Sequence, residues 1–183
     1  MLYEESRWIK KTLAKIELPA GSQAIDLGSA SKKFRTEIQP YITKNVISPL
    51  VKRKILVTHA DRSHYPGIDL IVDIEKPKLT KRYDLVLCAN MLEHVTSVTK
   101  VAKNIIRLVK PGGYLLVSVP NLYHYHPFPI DNGFRPTARE LAALFPGQKI
   151  IKAETIKDRK RQSHVFKYKV SLVLLQKKKK TRT

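Results

Sequence analysis

At 183 residues the chain is long enough for one domain with a substantial core, and its single cysteine, Cys88, excludes an internal disulfide or a zinc site built from several thiolates. No apolar run approaches the roughly 20 residues of a membrane-spanning helix, and Met1 to Trp8 carries charges where a secretion signal has its apolar core, so a cytoplasmic protein is expected. Lys and Arg number 35 against 15 Asp and Glu, a net charge of +20, and residues 149–183 hold 13 of the cations and 2 of the anions; this surplus suits nucleic acid, acidic headgroups or a phosphorylated substrate as well as it suits a solvated surface.

Tyr3, Trp8, Ile9, Leu13 and Ile16 recur at helical spacing with Lys10, Lys11 and Lys15 between them, which predicts an amphipathic helix over 3–16. Leu18-Pro19-Ala20-Gly21 ends it and leads into a first strand over 22–27. A short helix is expected over 32–39, stopping at Pro40, with 41–50 as a connection. Lys54 to His59, β-branched and apolar, reads as a second strand covered on both faces. The turn Ser63–Gly67 precedes a third strand, Ile68 to Ile74, and Tyr83 to Cys88 makes a fourth, inside which Cys88 is expected as a small buried hydrophobe.

Val98, Val101, Ala102, Ile105, Ile106, Leu108 and Val109 give the helix over 97–109 a broad apolar face, with Lys100, Lys103, Arg107 and Lys110 largely off it. Pro111-Gly112-Gly113 stops that helix, and Tyr114 to Val119 is strand five. Residues 120–136 are irregular and rich in Pro, His and Tyr. Thr137-Ala138-Arg139-Glu140 is a capping box opening a short helix to Phe145, which Pro146-Gly147 ends. Two closing strands, 149–156 and 165–175, leave no room for a crossover helix and should pair antiparallel. The expected fold is α/β: a doubly wound, mostly parallel seven-stranded sheet with a closing antiparallel pair, spanning 1–176, and 177–183 as a basic disordered tail. Ligands bind such sheets beyond the carboxyl ends of the strands.

Four segments carry a family resemblance. Ile25-Asp26-Leu27-Gly28-Ser29-Ala30-Ser31 resembles the first motif of the class I S-adenosylmethionine-dependent methyltransferases, usually D-x-G-x-G-x-G. Asp84-Leu85-Val86-Leu87-Cys88-Ala89-Asn90-Met91-Leu92-Glu93-His94-Val95 is similar to the strand-four motif of the small-molecule-type branch, which commonly ends in L-E-H. Leu108-Val109-Lys110-Pro111-Gly112-Gly113-Tyr114-Leu115 matches the helix-end and strand-five signature, and Phe134-Arg135-Pro136-Thr137 with Glu140-Leu141 resembles a later motif of that branch. The likeness covers about residues 20–175, with the motifs in the family's order. It departs at Ala30 and Lys32, which stand where the second and third glycines of the first motif usually are.

The resemblance implies a Rossmann-like fold, S-adenosylmethionine as cofactor with S-adenosylhomocysteine as product, and methyl transfer to an O or N atom of an unidentified small-molecule or nucleic-acid acceptor. Such transfer is an in-line displacement in which the protein aligns donor and acceptor and excludes water. The backbone N–H groups of Gly28, Ser29 and Ala30 can receive the cofactor's carboxylate at a helix start, and Asp26 can orient this turn or hold the amino group. Asp61 is expected at the ribose hydroxyls, Asp73 at the adenine amine, and Ala89 and Asn90 beside the methionine portion. His94 resembles the L-E-H histidine near the transferred methyl and can take a hydroxyl proton; His124 and His126 offer further bases, while Glu93 reads as a brace. Asn121, Tyr123, Tyr125 and Arg135 are expected to meet the acceptor.

Other chemistries fit less well. Cys88-Ala89-Asn90-Met91 lacks the D/N-P-P-aromatic motif of amino methylation on DNA bases, and Cys88 lacks the preceding proline of C5-cytosine methylation. The metal-binding E-x-x-E-H pattern of small-RNA 2′-O-methyltransferases has Asn90 in place of its first carboxylate, so no metal is expected. The rivals are a methyltransferase fold without turnover that binds nucleic acid through its basic C-terminal region, and a partner that activates another enzyme.

Overall fold

The computed structural model describes residues 1–126, 130–158 and 168–179. Its strands are β1 (Gln23–Leu27), β2 (Leu56–Asp61), β3 (Leu70–Ile71), β4 (Tyr83–Ala89), β5 (Val109–Leu122), β6 (Lys149–Lys157) and β7 (Lys169–Gln176). They form one sheet in the order β3-β2-β1-β4-β5-β7-β6, with β7 antiparallel to both of its neighbours. The chain winds outward from β1 in one direction through β2 and β3, then returns to pair β4 on the other side of β1. This reversal opens a crevice at the carboxyl ends of β1 and β4.

Both faces of the sheet are covered, because its central strands are apolar on both. Ile25, Val86, Cys88, Leu115, Val117 and Val173 point into a core closed by α3 (Val98–Leu108) and α4 (Ala138–Ala143). The alternate residues Ala24, Leu85, Leu87, Leu116, Leu172 and Leu174 point into a second core under α1 (Tyr3–Leu13) and the 42–50 region. This period-two alternation fixes which residues face which helix layer. Cys88 is fully buried, as expected, and burial pushes its thiol up. Thr137 caps α4 as a capping box, its side chain accepting from Glu140 N–H.

Several boundaries differ from the sequence reading. Residues 41–50 are helical: a π-helical segment, Thr43–Ile47, runs into α2 (Ser48–Lys52). Ile42, Val46 and Leu50 recur every four residues and are buried against α1, a spacing that the proline at 49 masks. Strand β2 starts at Leu56, because Lys54 sits in the left-handed region (φ 58°) and ends α2 instead. Only Leu70 and Ile71 of the expected third strand pair with β2; Val72, Asp73 and Ile74 leave the ladder to wall a cavity. Strand β5 is longer than expected, running through Pro111-Gly112-Gly113 from Val109 with a register shift against β4. Residues 165–167 of the last expected strand, and 180–183 of the expected disordered tail, lie outside the described residues. Lys177 belongs to the fold, since its Nζ donates to the carbonyls of Ile106 and Val109 at the end of α3.

Candidate functional site

The turn after β1 is the centre of the site. Gly28 has φ 69°, which glycine adopts at no steric cost. Ala30 has φ 55° at the second glycine position of the motif, a conformation that costs an L-residue about 1 kcal/mol. Ala30→Gly is therefore expected to raise the urea midpoint by an amount worth about 0.5–1 kcal/mol; an unchanged or lower midpoint would show that the turn is not strained. Lys32 holds the third position, and the close approach it would otherwise block is supplied from the opposite side. Gly67 lies so near that a Cβ there would sit 2.6 Å from Lys32 Cβ.

Arg35 locks these two loops together. It is buried, and its guanidinium donates to the carbonyls of Ser29, Ala30 and Gly67 and to Ser29 Oγ. Burial lowers its pKa, against the opposing field of Asp26, Asp69 and Asp61. The N–H groups expected to receive a carboxylate are already engaged. Gly28 and Ser29 donate to the Ala60 carbonyl, and Ala30 donates to Asp61 Oδ2 at 3.0 Å. The following segment is helical over 32–38, as expected, with π-helical geometry at Phe34–Ile38. The amino-acid end of a cofactor must therefore be held mainly by other groups.

Two cavities meet at this turn, sharing Gly28, Ala30, Asn90 and His94 in their walls. The first, about 270 Å³, is bounded by Asp61, Asp73, Val72, Ile74 and Met91. Asp61 also accepts from Ser63 N–H, and Asp73 from Glu75 N–H. The second, about 490 Å³, has Asp26, Ser29, Ala89, Glu93, Tyr123 and His126 in its wall, together with Met1 and Leu2. Asp26 Oδ2 lies 3.3 Å from His59 Nδ1.

Asn90 leaves β4 with φ 50°, a left-handed conformation that asparagine tolerates better than most residues. Its side chain donates to Glu5, which also accepts from Leu2 N–H and Ser118 Oγ. Glu5 is fully buried and went unnoticed in the sequence. Its signal was a carboxylate on the apolar stripe of α1, one turn before Ile9.

The histidines form a chain over the second cavity. His94 and His126 rings meet edge to face at 5.0 Å. His94 Nδ1 is 2.5 Å from the Ile130 carbonyl, so it carries the hydrogen and leaves the Nε2 lone pair free to accept. Burial lowers the His94 pKa, which favours the neutral ring. His126 Nδ1 lies 3.0 Å from Asp131 Oδ2 and 3.3 Å from the His124 carbonyl, both acceptors, so its Nε2 is likewise an acceptor. Burial would raise the Asp131 pKa, but Arg135 and the N–H groups of Gly133 and His126 hold it well below the usual carboxylate range.

Other predicted residues lie apart. Tyr123 reaches the cavity, whereas His124 stacks on Tyr123 and faces Tyr168 from outside the wall. Tyr125 is 66% exposed and lines neither cavity. Asn121 donates to the carbonyls of Arg135 and Pro136, and Arg135 is engaged with Asp131, so both brace the 121–136 segment instead of reaching a cavity. Among the described residues no group of three or more His, Cys, Asp or Glu side chains is placed to hold a metal, and no helix is long and apolar enough to cross a membrane.

The methyltransferase-domain family matches residues 2–160. The chain belongs to this family. Among curated relatives of this methyltransferase domain, the ubiquinone biosynthesis O-methyltransferase of Leptothrix cholodnii is 25% identical over 62% of the chain and 49% of its own length. That of Proteus mirabilis is 44% identical over 22% of the chain and 17% of its length. The chain spans about half or less of the length of these two relatives. Coclaurine N-methyltransferase, solved with S-adenosylhomocysteine, shares the fold at a TM-score of 0.67 and 14% identity, over 96% of this chain and 70% of that one. A chain from the complex of the Haloferax volcanii Trm112 methyltransferase activator with a methyltransferase does so at 0.65 and 15%, over 96% and 92%.

The methyltransferase family uses S-adenosylmethionine, and the first cavity fits its adenosyl part. Its lining combines apolar Val72, Ile74 and Met91 with the carboxylates of Asp61 and Asp73.

Proposed function

We propose that this methyltransferase domain transfers the methyl group of S-adenosylmethionine to an O or N atom of a small-molecule acceptor. In this reading Asp61 and Asp73 hold the adenosine in the first cavity, and Asp26 and Asn90 face the methionine portion. The acceptor occupies the second cavity, whose volume suits a small ligand. When bound, S-adenosylmethionine supplies an electrophilic methyl on a sulfonium. The protein's tasks are then to orient the acceptor, shed water and take a proton.

The observation that carries the reading is the His126–Asp131 pair, set beside His94 in the wall of a cavity continuous with the one holding Asp61. Asp131 holds the His126 ring with Nδ1–H inward, and Nε2 accepts the acceptor's proton. A fold without turnover is the weaker reading, because it gives this oriented pair no task.

Titration calorimetry with S-adenosylhomocysteine tests the proposal. Binding in the micromolar range is expected, and Asp61→Ala should weaken it about 100-fold, since a charge-assisted pair of bonds to the ribose is lost. Folded protein that fails to bind at millimolar ligand, or an Asp61→Ala variant that binds within twofold of wild type, would overturn it.

A further inference from the structure

Two side chains in the wall of the second cavity hold a buried oxygen with no hydrogen-bond partner among the described residues, Gln39 through Oε1 and Glu93 through Oε2, and only the second is ionisable. Glu93, in the 3-10 turn Leu92–His94, is 1% exposed, and its Oε2 accepts no hydrogen bond from any described residue. Leaving a buried carboxyl oxygen unpaired is costly, and more so when it is ionised. Burial pushes the group up to about 8 and Glu5 on α1 pushes the same way, while the residue's own backbone N–H, the amino group of Met1 and Arg135 oppose. His94 Nε2 stands 3.8 Å from Oε1, too far for a hydrogen bond. The cost is recovered when a ligand brings its own donor.

The charges around the cavity narrow that ligand further. Its wall contains the carboxyls of Asp26 and Glu93 but no Lys or Arg side chain among the described residues, although the chain has 35 of them. A phosphate, sulfate or carboxylate would meet those acids, with the terminal amino group of Met1 opposing them but no Lys or Arg side chain. A cation would meet Glu93 and the ring of Tyr123, and aromatic faces attract cations. Phe34, Ile42 and Leu2 offer apolar surface for the rest of such a molecule.

We propose that the acceptor is an amine, anchored through its nitrogen at the Glu93 carboxyl, with its apolar or aromatic body against Phe34, Ile42 and Tyr123. This deepens the methyl-transfer reading and rests on it. An ammonium group supplies the missing donor and neutralises the acid in one contact; it passes one proton to His126 Nε2 before its nitrogen lone pair can take the methyl from the sulfonium, with S-adenosylhomocysteine as the leaving group. A phenol supplies only a donor, and an anion supplies neither.

Calorimetry of the full chain saturated with S-adenosylhomocysteine, using 2-phenylethylamine, 4-ethylphenol and 3-phenylpropionate as probes of similar size, decides the matter. The amine is expected to bind at least tenfold more tightly than either of the others. At pH 7, titrations in two buffers of different ionisation heat should show about one proton released per amine bound, as Glu93 exchanges its proton for the ammonium ion. Glu93→Gln should abolish that release and weaken the amine at least tenfold, while S-adenosylhomocysteine still binds. Tighter binding of the phenol or the carboxylate, absence of proton release, or a Glu93→Gln variant with unaltered amine affinity would overturn the proposal. Should the variant not fold, the ranking and the proton release of the wild-type protein decide it alone. Failure of S-adenosylhomocysteine to bind is seen before any amine is added, and counts against the methyl-transfer reading instead.

Discussion

Replacing His126 by Ala is expected to slow methyl transfer about 100-fold or more while leaving S-adenosylhomocysteine affinity within about twofold. Positioned proton acceptors contribute on that scale, and the geometry assigns the task to one nitrogen. His126 Nδ1 is held by Asp131 and by the His124 carbonyl, so only Nε2 has a free lone pair. Asp131, kept well below the usual carboxylate range, stays ionised through the neutral range and keeps the ring in this tautomer. Asp131→Asn should lower turnover by a smaller factor, because it removes the charge that stabilises the protonated imidazole and leaves the ring in the cavity wall. Single-turnover rates measured beside calorimetric affinities separate these effects from lost cofactor binding. His126→Ala turnover within threefold of wild type would move the proton to His94, whose ring Nε2 also stands in the wall.

Arg35→Ala is expected to lower unfolding stability by roughly 3–5 kcal/mol, the largest loss from any single substitution considered for this fold. The guanidinium satisfies carbonyls from two separate loops, and its removal leaves those oxygens buried beside a void. It also removes the cation facing Asp26, Asp69 and Asp61. The Ser29–Ala30 turn and the Gly67 loop would then separate, so cofactor affinity should fall together with stability. Arg35→Lys should recover little, since a single ammonium cannot span the three carbonyls in a fixed plane. Urea denaturation read by circular dichroism measures the loss, and a midpoint unchanged from wild type would show that the loops hold without the clamp.

Most of the sheet was legible because its signals are local. Val86, Cys88, Leu115 and Val117 lie in short apolar runs bounded by turn residues, and these resolve into strands covered on both faces. Thr137 and Glu140 announced a helix start by side-chain chemistry alone. The failures came where a residue's environment depends on distant chain. Lys54 stands at the head of the apolar run Ile55-Leu56-Val57, yet its left-handed backbone places it in the turn that ends α2. Val72 to Ile74 read as strand, but their neighbour β2 ends at Asp61, whose carbonyl takes the last ladder bond from Val72 N–H.

The site shows the same division. Asp61 and Asn90 stand out by their place after strands, Asp73 and His94 also by the family resemblance, and all four line the first cavity. Glu5, Arg35 and Asp131 act through partners that are remote in sequence or in the irregular 121–136 segment, so spacing could not single them out. Tyr125, Asn121 and Arg135 were chosen for chemical type in the right loop, and backbone direction placed them elsewhere. The loss of two motif glycines was visible at once; that Arg35 and Gly67 compensate for it was not.

The seating of α1 sets the size of the reaction space. Met1 and Leu2 stand in the wall of the second cavity, and Glu5 ties them to Asn90 at the exit of β4 and to Ser118 on β5. A shift of this helix by a single turn would move its floor by about 5 Å and redraw the outline of what fits beneath it. Exchanges along the first turn of α1 are thus a means of reshaping that hollow without touching His94 or His126.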